Sequence, residues 1–402
     1  ARTGWGFLGR DPGRSLEGFL ESLGVRFLGT VDTRKSEKLS DFLAEALDQE
    51  GVRFVHLIGP KPERAEAEST RVDRYYLSLP PGRPAASTPV QTRRVAAPES
   101  LAQAVLGRLA SELERQPRTV LYWTLADSPG SVASLGERLV RRELEGVLAE
   151  ARGASRGGMV PYLVLSARRL PEIYNELLEG VDFPATLLLQ DGGLTAAGPG
   201  LPPHPASLRD LGLLRMVPGL VVAAPADEEE ARRILAGLRE HPGPVALRFT
   251  ASPAVGLGGT GTPAPLPPGQ GRTLRPGRDV ALLALGSTVF PCVLAAETLA
   301  AWGVQAAIYD FRFLQPLDQD LLVQAMQCGR LVTVEEHLGS GGFGTAVLEA
   351  LQRTGRSAVP TLTLALEPEA GTAPSPGLEG SNLSAEGIAI SVRNFLGMGD
   401  LA

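Results

Sequence analysis

Cysteine, histidine and aromatic side chains are all scarce in this chain, and each scarcity removes a class of chemistry. The two cysteines, Cys292 and Cys328, share no metal-ligand spacing with each other or with His56, His204, His241 or His337. No H-E-x-x-H pair, Walker loop, dinucleotide fingerprint or G-x-S-x-G nucleophile elbow is present. The thiols read as reduced, which suits a cytoplasmic location or the interior of a plastid or another organelle. No apolar run approaches the roughly 18–20 residues needed to span a bilayer. No signal peptide is visible, although a chain that starts at Ala1 leaves room for a removed leader. Lys and Arg number 39 against 45 Asp and Glu, a net charge of −6. That balance offers no basic stripe for nucleic acid and no acidic tail.

Glycine and proline are abundant instead, at 47 and 33 of 402 residues, and they gather between elements. Short continuous apolar runs such as Val280–Leu285 alternate with stretches of helical period, which predicts α/β domains with parallel sheets covered by helices on both faces. Two punctuated stretches divide the chain, one at 60–98 and one at 251–277. The expected strands include 119–125, 162–165, 186–190, 220–223 and 245–249, then 280–285, 305–309, 331–335 and 361–366. Expected helices include 99–115, 171–178, 227–240, 290–301, 318–326 and 343–352. Before residue 60, helices at 15–23 and 37–49 alternate with strands at 26–28 and 54–58. That first segment is too short for a whole domain.

The motifs carry little chemistry by themselves. Gly256-Leu-Gly-Gly-Thr-Gly261 is followed by four prolines before residue 269, so no helix can offer its N-terminus there, and it reads as linker. Gly339-Ser-Gly-Gly-Phe-Gly344 follows a strand and opens a helix, so it is either an anion cradle or a tight packing turn. Glu335 and Glu336 sit at a C-terminal strand end, as a functional pair or a solvated edge. His204, in a Pro-flanked loop, is a candidate acid or base or an idle surface histidine.

Gly271–Thr288, Phe311-Arg-Phe-Leu-Gln-Pro-Leu-Asp318 and Val332-Thr-Val-Glu-Glu-His-Leu-Gly-Ser-Gly-Gly-Phe-Gly344 resemble the C-terminal domain of transketolases. They are most similar to the version in 1-deoxy-D-xylulose-5-phosphate synthases. Met216–Glu230 and Gly243–Arg248 are similar to that family's pyrimidine-binding domain, as are Asp210 and Arg215. Leu23–Asp32 resembles the tail of its diphosphate-binding domain. The resemblance implies a tail at 1–59, a linker at 60–98, a pyrimidine-binding domain at 99–250, a linker at 251–277 and a C-terminal domain at 278–402.

The same resemblance implies thiamine diphosphate and Mg²⁺, but the Gly-Asp-Gly motif that holds them is not in this sequence. This chain alone is therefore expected to bind no cofactor, and to do so only if a partner supplies the diphosphate half. The family's ring-activating Glu aligns without gaps on Leu144, with Glu143 and Glu145 on either side. A one-residue gap makes Glu143 the candidate. The pyrimidine-stacking Phe becomes Arg169, while Tyr174 is kept. A phosphate-binding Asp-Arg-Ala-Gly becomes Asp191-Gly-Gly-Leu194, and a His-rich loop keeps at most His204. Arg248 survives beside a lost Tyr-Pro-Arg-Gly turn. Glu143 and His204 are thus the candidate catalytic residues, Tyr174 and Arg169 the cofactor face, and Arg248 and Asp191 the phosphate side.

Three functions are compatible with this pattern. One is a non-catalytic, synthase-like subunit that forms a homodimer, or a heteromer with a transketolase-family chain. Another is an active synthase fragment completed by a second chain, joining pyruvate to glyceraldehyde 3-phosphate. The third is a phosphate-binding module built on Arg248, His204 and the Gly341–Gly344 turn.

Overall fold

A computed structural model of the protein describes strand residues 26–32 and 53–58 by their backbone, five helical positions between 101 and 113, and residues 116–125, 130–179, 181–195, 204–238, 241–250, 264–366 and 381–398. The chain forms two compact units, 1–72 and 73–402. In the first, β1 (Arg26–Asp32) and β2 (Arg53–Ile58) pair in parallel. The helices expected at 15–23 and 37–49, the stretch 60–98 and the Gly256–Gly261 run lie outside the described residues.

The second unit carries two sheets. The seven-stranded sheet includes β3 (Thr119–Trp123), β4 (Leu139–Arg141), β5 (Val160–Ser166), β6 (Thr186–Gln190), β7 (Val221–Ala223) and β8 (Val245–Arg248). The five-stranded sheet holds β9 (Arg272–Arg275), β10 (Val280–Ala284), β11 (Ala306–Asp310), β13 (Leu331–Leu338) and β14 (Thr361–Leu366), in the order β14-β13-β10-β11-β9. All pairings among β3–β8 are parallel, and in the second sheet only β9 runs against its neighbour. The expected α/β architecture is therefore present. The central runs read as unbroken apolar segments because both faces are covered, as in β10, where every residue is buried.

Two features depart from the sequence expectation. Residues 272–275, expected in a linker, form the edge strand β9. More consequentially, β12 (Phe313–Gln315) leaves the five-stranded sheet and pairs antiparallel with β7, completing the order β12-β7-β8-β6-β5-β3-β4. The two sheets also share one apolar core, in which Leu163, Leu187 and Leu189 lie with Leu283, Phe311 and Phe343. The rings of Phe311 and Phe343 are 5.2 Å apart and tilted, a favourable aromatic arrangement.

Helices close the outer faces. Helical residues Leu101, Val105, Leu106, Leu109 and Leu113 place a buried stripe in the same core as α4 (Glu228–Leu238). On the far side, α5 (Val289–Ala301) and α8 (Ala385–Phe395) cover the five-stranded sheet. Between them in the chain come α6 (Gln319–Ala325), capped by Asp318 onto the Leu321 amide, and α7 (Phe343–Arg353). The shorter α1 (Val147–Arg156), α2 (Tyr174–Leu178) and α3 (Asp210–Arg215) complete the set. Among the described residues, no helix is long and apolar enough to cross a membrane.

Candidate functional site

In the seven-stranded sheet β4 lies on one side of β3, while β5, β6 and β8 extend on the other. The chain reverses direction between β3 and β5, and open α/β sheets bind ligands outside the strand ends at such a crevice. Two sequence candidates, Arg169 and Glu143, are gathered here, and a third, Tyr174, follows in the next element. Arg169 lies in a short 3₁₀ segment, Ala167–Ile173, just past β5. Its Nη1 makes a long hydrogen bond of 3.5 Å to the Thr124 carbonyl at the end of β3, so the side chain bridges the crevice. Glu143 follows β4 and stands close enough for its charge to support the Arg169 cation. Tyr174 opens α2, and its buried hydroxyl has no hydrogen-bond partner among the described residues. Burial raises its pKa.

Arg169 is engaged within its own segment. Its Nε donates to both Glu172 oxygens, at 2.9 and 3.1 Å, and its Nη2 donates to Oε2 at 2.7 Å. That fork raises the Arg169 pKa and lowers that of Glu172 through the hydrogen bonds they share. The pair remains solvent-facing, with 32% and 52% of the two side chains exposed.

The stretch around Glu143 lies between two elements. Arg141 ends β4, and α1 begins only at Val147. Leu144 is completely buried in the core, while Glu143 and Glu145 point outward. His204 is exposed, and its Nδ1 accepts from the Ala206 amide at 3.2 Å. No described contact joins His204 to the crevice.

A second set of charges lies deeper, along the seam between the sheets. Arg248, at the end of β8, is 2% exposed. Its Nε donates to Asp210 Oδ2 at 2.8 Å, and its Nη2 donates to the Glu336 carbonyl at 3.1 Å. Burial works against the Arg248 charge, but Asp210 and Glu336 outweigh it and raise the pKa. Asp191 adopts a left-handed φ of 60°, which Asp tolerates, and accepts from Ser166 Oγ at 3.0 Å.

The glycines that replace the expected arginine position have a packing reason. A Cβ on Gly192 would lie 2.3 Å from Arg248 Nε and 2.6 Å from Asp210 Oδ2. On Gly193 it would lie 2.5 Å from the Glu336 carboxyl. The backbone here rests directly on the ion pair, so no side chain fits.

Glu335, Glu336 and His337 are all buried, so the solvated-edge reading fails. Glu336 accepts from the Leu194 amide at 2.6 Å and from the Ser287 hydroxyl. Glu335 accepts from the amides of Phe343 and Gly344, at 2.6 and 2.8 Å. A carboxylate from this chain thus occupies the N-terminus of α7, and the Gly339–Gly344 segment is a packing turn. A Cβ on Gly342 would lie 2.0 Å from Glu335 Oε2, which explains the glycine. Burial raises the pKa of both glutamates, against His337 for Glu335 and against Arg248 for Glu336. His337 Nε2 accepts from the Gly212 amide at 3.1 Å.

Comparisons with known proteins agree with this architecture. Residues 269–379 match the transketolase C-terminal domain family. A Symbiobacterium thermophilum protein named 1-deoxy-D-xylulose-5-phosphate synthase is 32% identical over 342 residues, covering 82% of this chain and 51% of that protein. One of the same name from Syntrophotalea carbinolica is 31% identical, covering 96% of this chain and 63% of its own length. The Geobacter metallireducens 1-deoxy-D-xylulose-5-phosphate synthase 1 is 40% identical over 218 residues, or 53% of this chain and 34% of that one. The chain therefore spans between a third and two thirds of these relatives. A solved structure described as a split-gene transketolase, inactive β4 tetramer, superposes with a TM-score of 0.64 at 25% identity. The match covers 76% of this chain and all of that one.

Proposed function

We propose, for a chain that belongs to the transketolase family as its C-terminal portion, that it is a 1-deoxy-D-xylulose-5-phosphate synthase-like subunit kept for its interfaces. On this reading it does not run thiamine-diphosphate chemistry by itself. Residues 99–250 would be the pyrimidine-binding domain and 278–402 the C-terminal domain, after a diphosphate-domain tail at 1–59. The chain would work as a homodimer or beside a transketolase-family partner.

One observation carries the proposal: the crevice residues do not fit the aminopyrimidine of thiamine. Bound thiamine diphosphate supplies a carbanion-stabilising ylid, and a carboxylate must exchange a proton with its ring. The ungapped counterpart of that carboxylate is Leu144, sealed in the core. Where an aromatic face is needed, Arg169 and Glu172 form a charged fork. Past the crevice in the chain, the Tyr174 hydroxyl has no hydrogen-bond partner among the described residues, which favours a ligand. Arg248, enclosed between Asp210 and Glu336, is proposed as a seam residue rather than a phosphate anchor.

A second reading is favoured by the end-to-end match to a chain described as a split-gene transketolase. In it this chain is a fragment of an active synthase, completed by a chain bearing the Gly-Asp-Gly half. Glu143 then serves as the ring-activating acid, and pyruvate condenses with glyceraldehyde 3-phosphate with release of CO₂. Calorimetric titration of thiamine diphosphate with Mg²⁺ separates the two. The purified chain is tested alone and mixed with a Gly-Asp-Gly-bearing partner. Silence in both mixtures is the expected result. Tight binding in either overturns the non-catalytic reading.

A further inference from the structure

The seam between the sheets holds one buried titratable side chain that neither the crevice nor the Arg248 pair uses. It is His337, near the end of β13 and 1% exposed. Its ring is engaged from two directions. Nδ1 lies against the Leu338 carbonyl, within its own strand. Nε2 faces the Gly212 amide at 3.1 Å, on α3, which packs on β7 and β12 of the seven-stranded sheet. A carbonyl can only accept and a backbone amide can only donate. Nδ1 must therefore carry the ring proton and Nε2 must be bare. The contacts select one neutral tautomer.

Two glycines permit this setting. A Cβ on Gly212 would lie 3.3 Å from Cε1 and Nε2, and one on Gly342 would lie 2.6 Å from Nδ1. The ring is enclosed between α3 and the turn before α7, and a backbone donor stands at the one nitrogen still able to take a proton. Charged groups face it from each neighbouring element. On β13, Glu335 Oε2 lies 3.9 Å from Nδ1, and its charge favours an imidazolium. The Glu335 oxygens are committed to the Phe343 and Gly344 amides, so they offer the ring no replacement contact. From α3, Arg215 reaches the Gly341 carbonyl at 3.4 Å and Glu349 on α7. From β8, Arg248 is engaged by Asp210 and the Glu336 carbonyl.

We propose that His337 is a pH-sensitive pin between the two sheets. Its bare Nε2 holds α3 against β13, and protonation there releases the Gly212 amide. A proton on Nε2 sets two donors face to face, so the contact is lost outright rather than weakened. The Leu338 amide still donates to the Leu208 carbonyl at 2.9 Å, and Arg215 still grips the turn before α7. The change is therefore a local loosening of α3, confined to the joint. Its sign is opposite to that of Glu335 and Glu336, which burial raises and which lose their contribution as pH climbs.

Two measurements on the whole chain test the pin. Nitrogen-15 shifts of the His337 ring should show the Nδ1–H tautomer at pH 8. Hydrogen exchange, corrected for intrinsic rates, should show Gly212 amide protection falling about tenfold from pH 8 to pH 5, where imidazole ordinarily titrates. The β5–β6 amides should keep theirs. His337→Gln offers a side-chain carbonyl that can accept from Gly212 but takes no proton. It should remove the pH dependence, at whatever level its protection stands. An Nε2–H tautomer at pH 8 overturns the pin, as does constant wild-type protection. So does a fall that persists in His337→Gln, which would place the titration on Glu335. The two wild-type measurements decide even if the variant fails to fold.

Discussion

Two arginine–carboxylate pairs in this molecule look alike in a hydrogen-bond diagram and differ in everything else. Arg248–Asp210 lies in the seam, with side chains 3% and 0% exposed, and Glu336, Gly192 and Gly193 pack onto it. Arg169–Glu172 lies three residues apart on a short segment at the rim. The seam pair joins distant parts of the chain, and neither charge can lose its partner without being stranded in apolar surroundings. At the rim, either charge can return to water. The comparison teaches that a surviving arginine is not by itself a surviving binding residue. What encloses its guanidinium decides whether it can serve a ligand.

The largest expected effect breaks the seam. Arg248→Met leaves Asp210 buried and unpaired, and should cost about 3–5 kcal/mol in urea denaturation. Gly192→Ala leaves all charges in place but drives a methyl into the pair. Its cost should be about 1–3 kcal/mol, read by the same denaturation. The pH profile comes next. Asp227, which burial raises to about 6, favours folding below its ordinary value and loses that contribution as pH rises through 6. Between pH 5 and pH 8 that amounts to about 1.4 kcal/mol. The raised Glu335 and Glu336 act in the same direction, so stability should decline on the alkaline side. The smallest effect is at the rim. Arg169→Ala should change stability by less than about 1 kcal/mol, and a loss comparable to that of Arg248→Met would erase the distinction drawn here.

Much of the fold was legible in the sequence, for a simple reason. Runs such as Thr186–Gln190 and Val280–Ala284 are apolar, bounded by turn residues and covered on both faces, and they form the expected strands. The short elements were not legible. β4 and β12 have three residues each, too few for a period, and β12 exists because β7, far earlier in the chain, offers an edge. The site was legible in part. Arg169, Glu143 and Thr124 meet at one crevice because β3, β4 and β5 are neighbours in the sheet. The burial of Glu335, Glu336 and His337 could not be read from their own stretch, since their partners include Leu194, Gly212 and Ser287. The strand-end position of Glu335 and Glu336 and the resemblance in the Val332–Gly344 motif singled them out without showing that they are enclosed. The Glu230–Arg312 pairing was hidden in the same way, its members lying in two separate motifs.

The functional proposal is local: the crevice at the ends of β3 and β5 is proposed not to receive an aminopyrimidine. Its most direct test is an exchange footprint of thiamine diphosphate with Mg²⁺, taken in the presence of a chain that supplies the Gly-Asp-Gly half. The peptides to follow contain Thr124, Glu143 and Arg169–Tyr174. The account predicts unchanged protection in all three at saturating cofactor. Cofactor-dependent protection spanning Glu143 and Arg169 would contradict it.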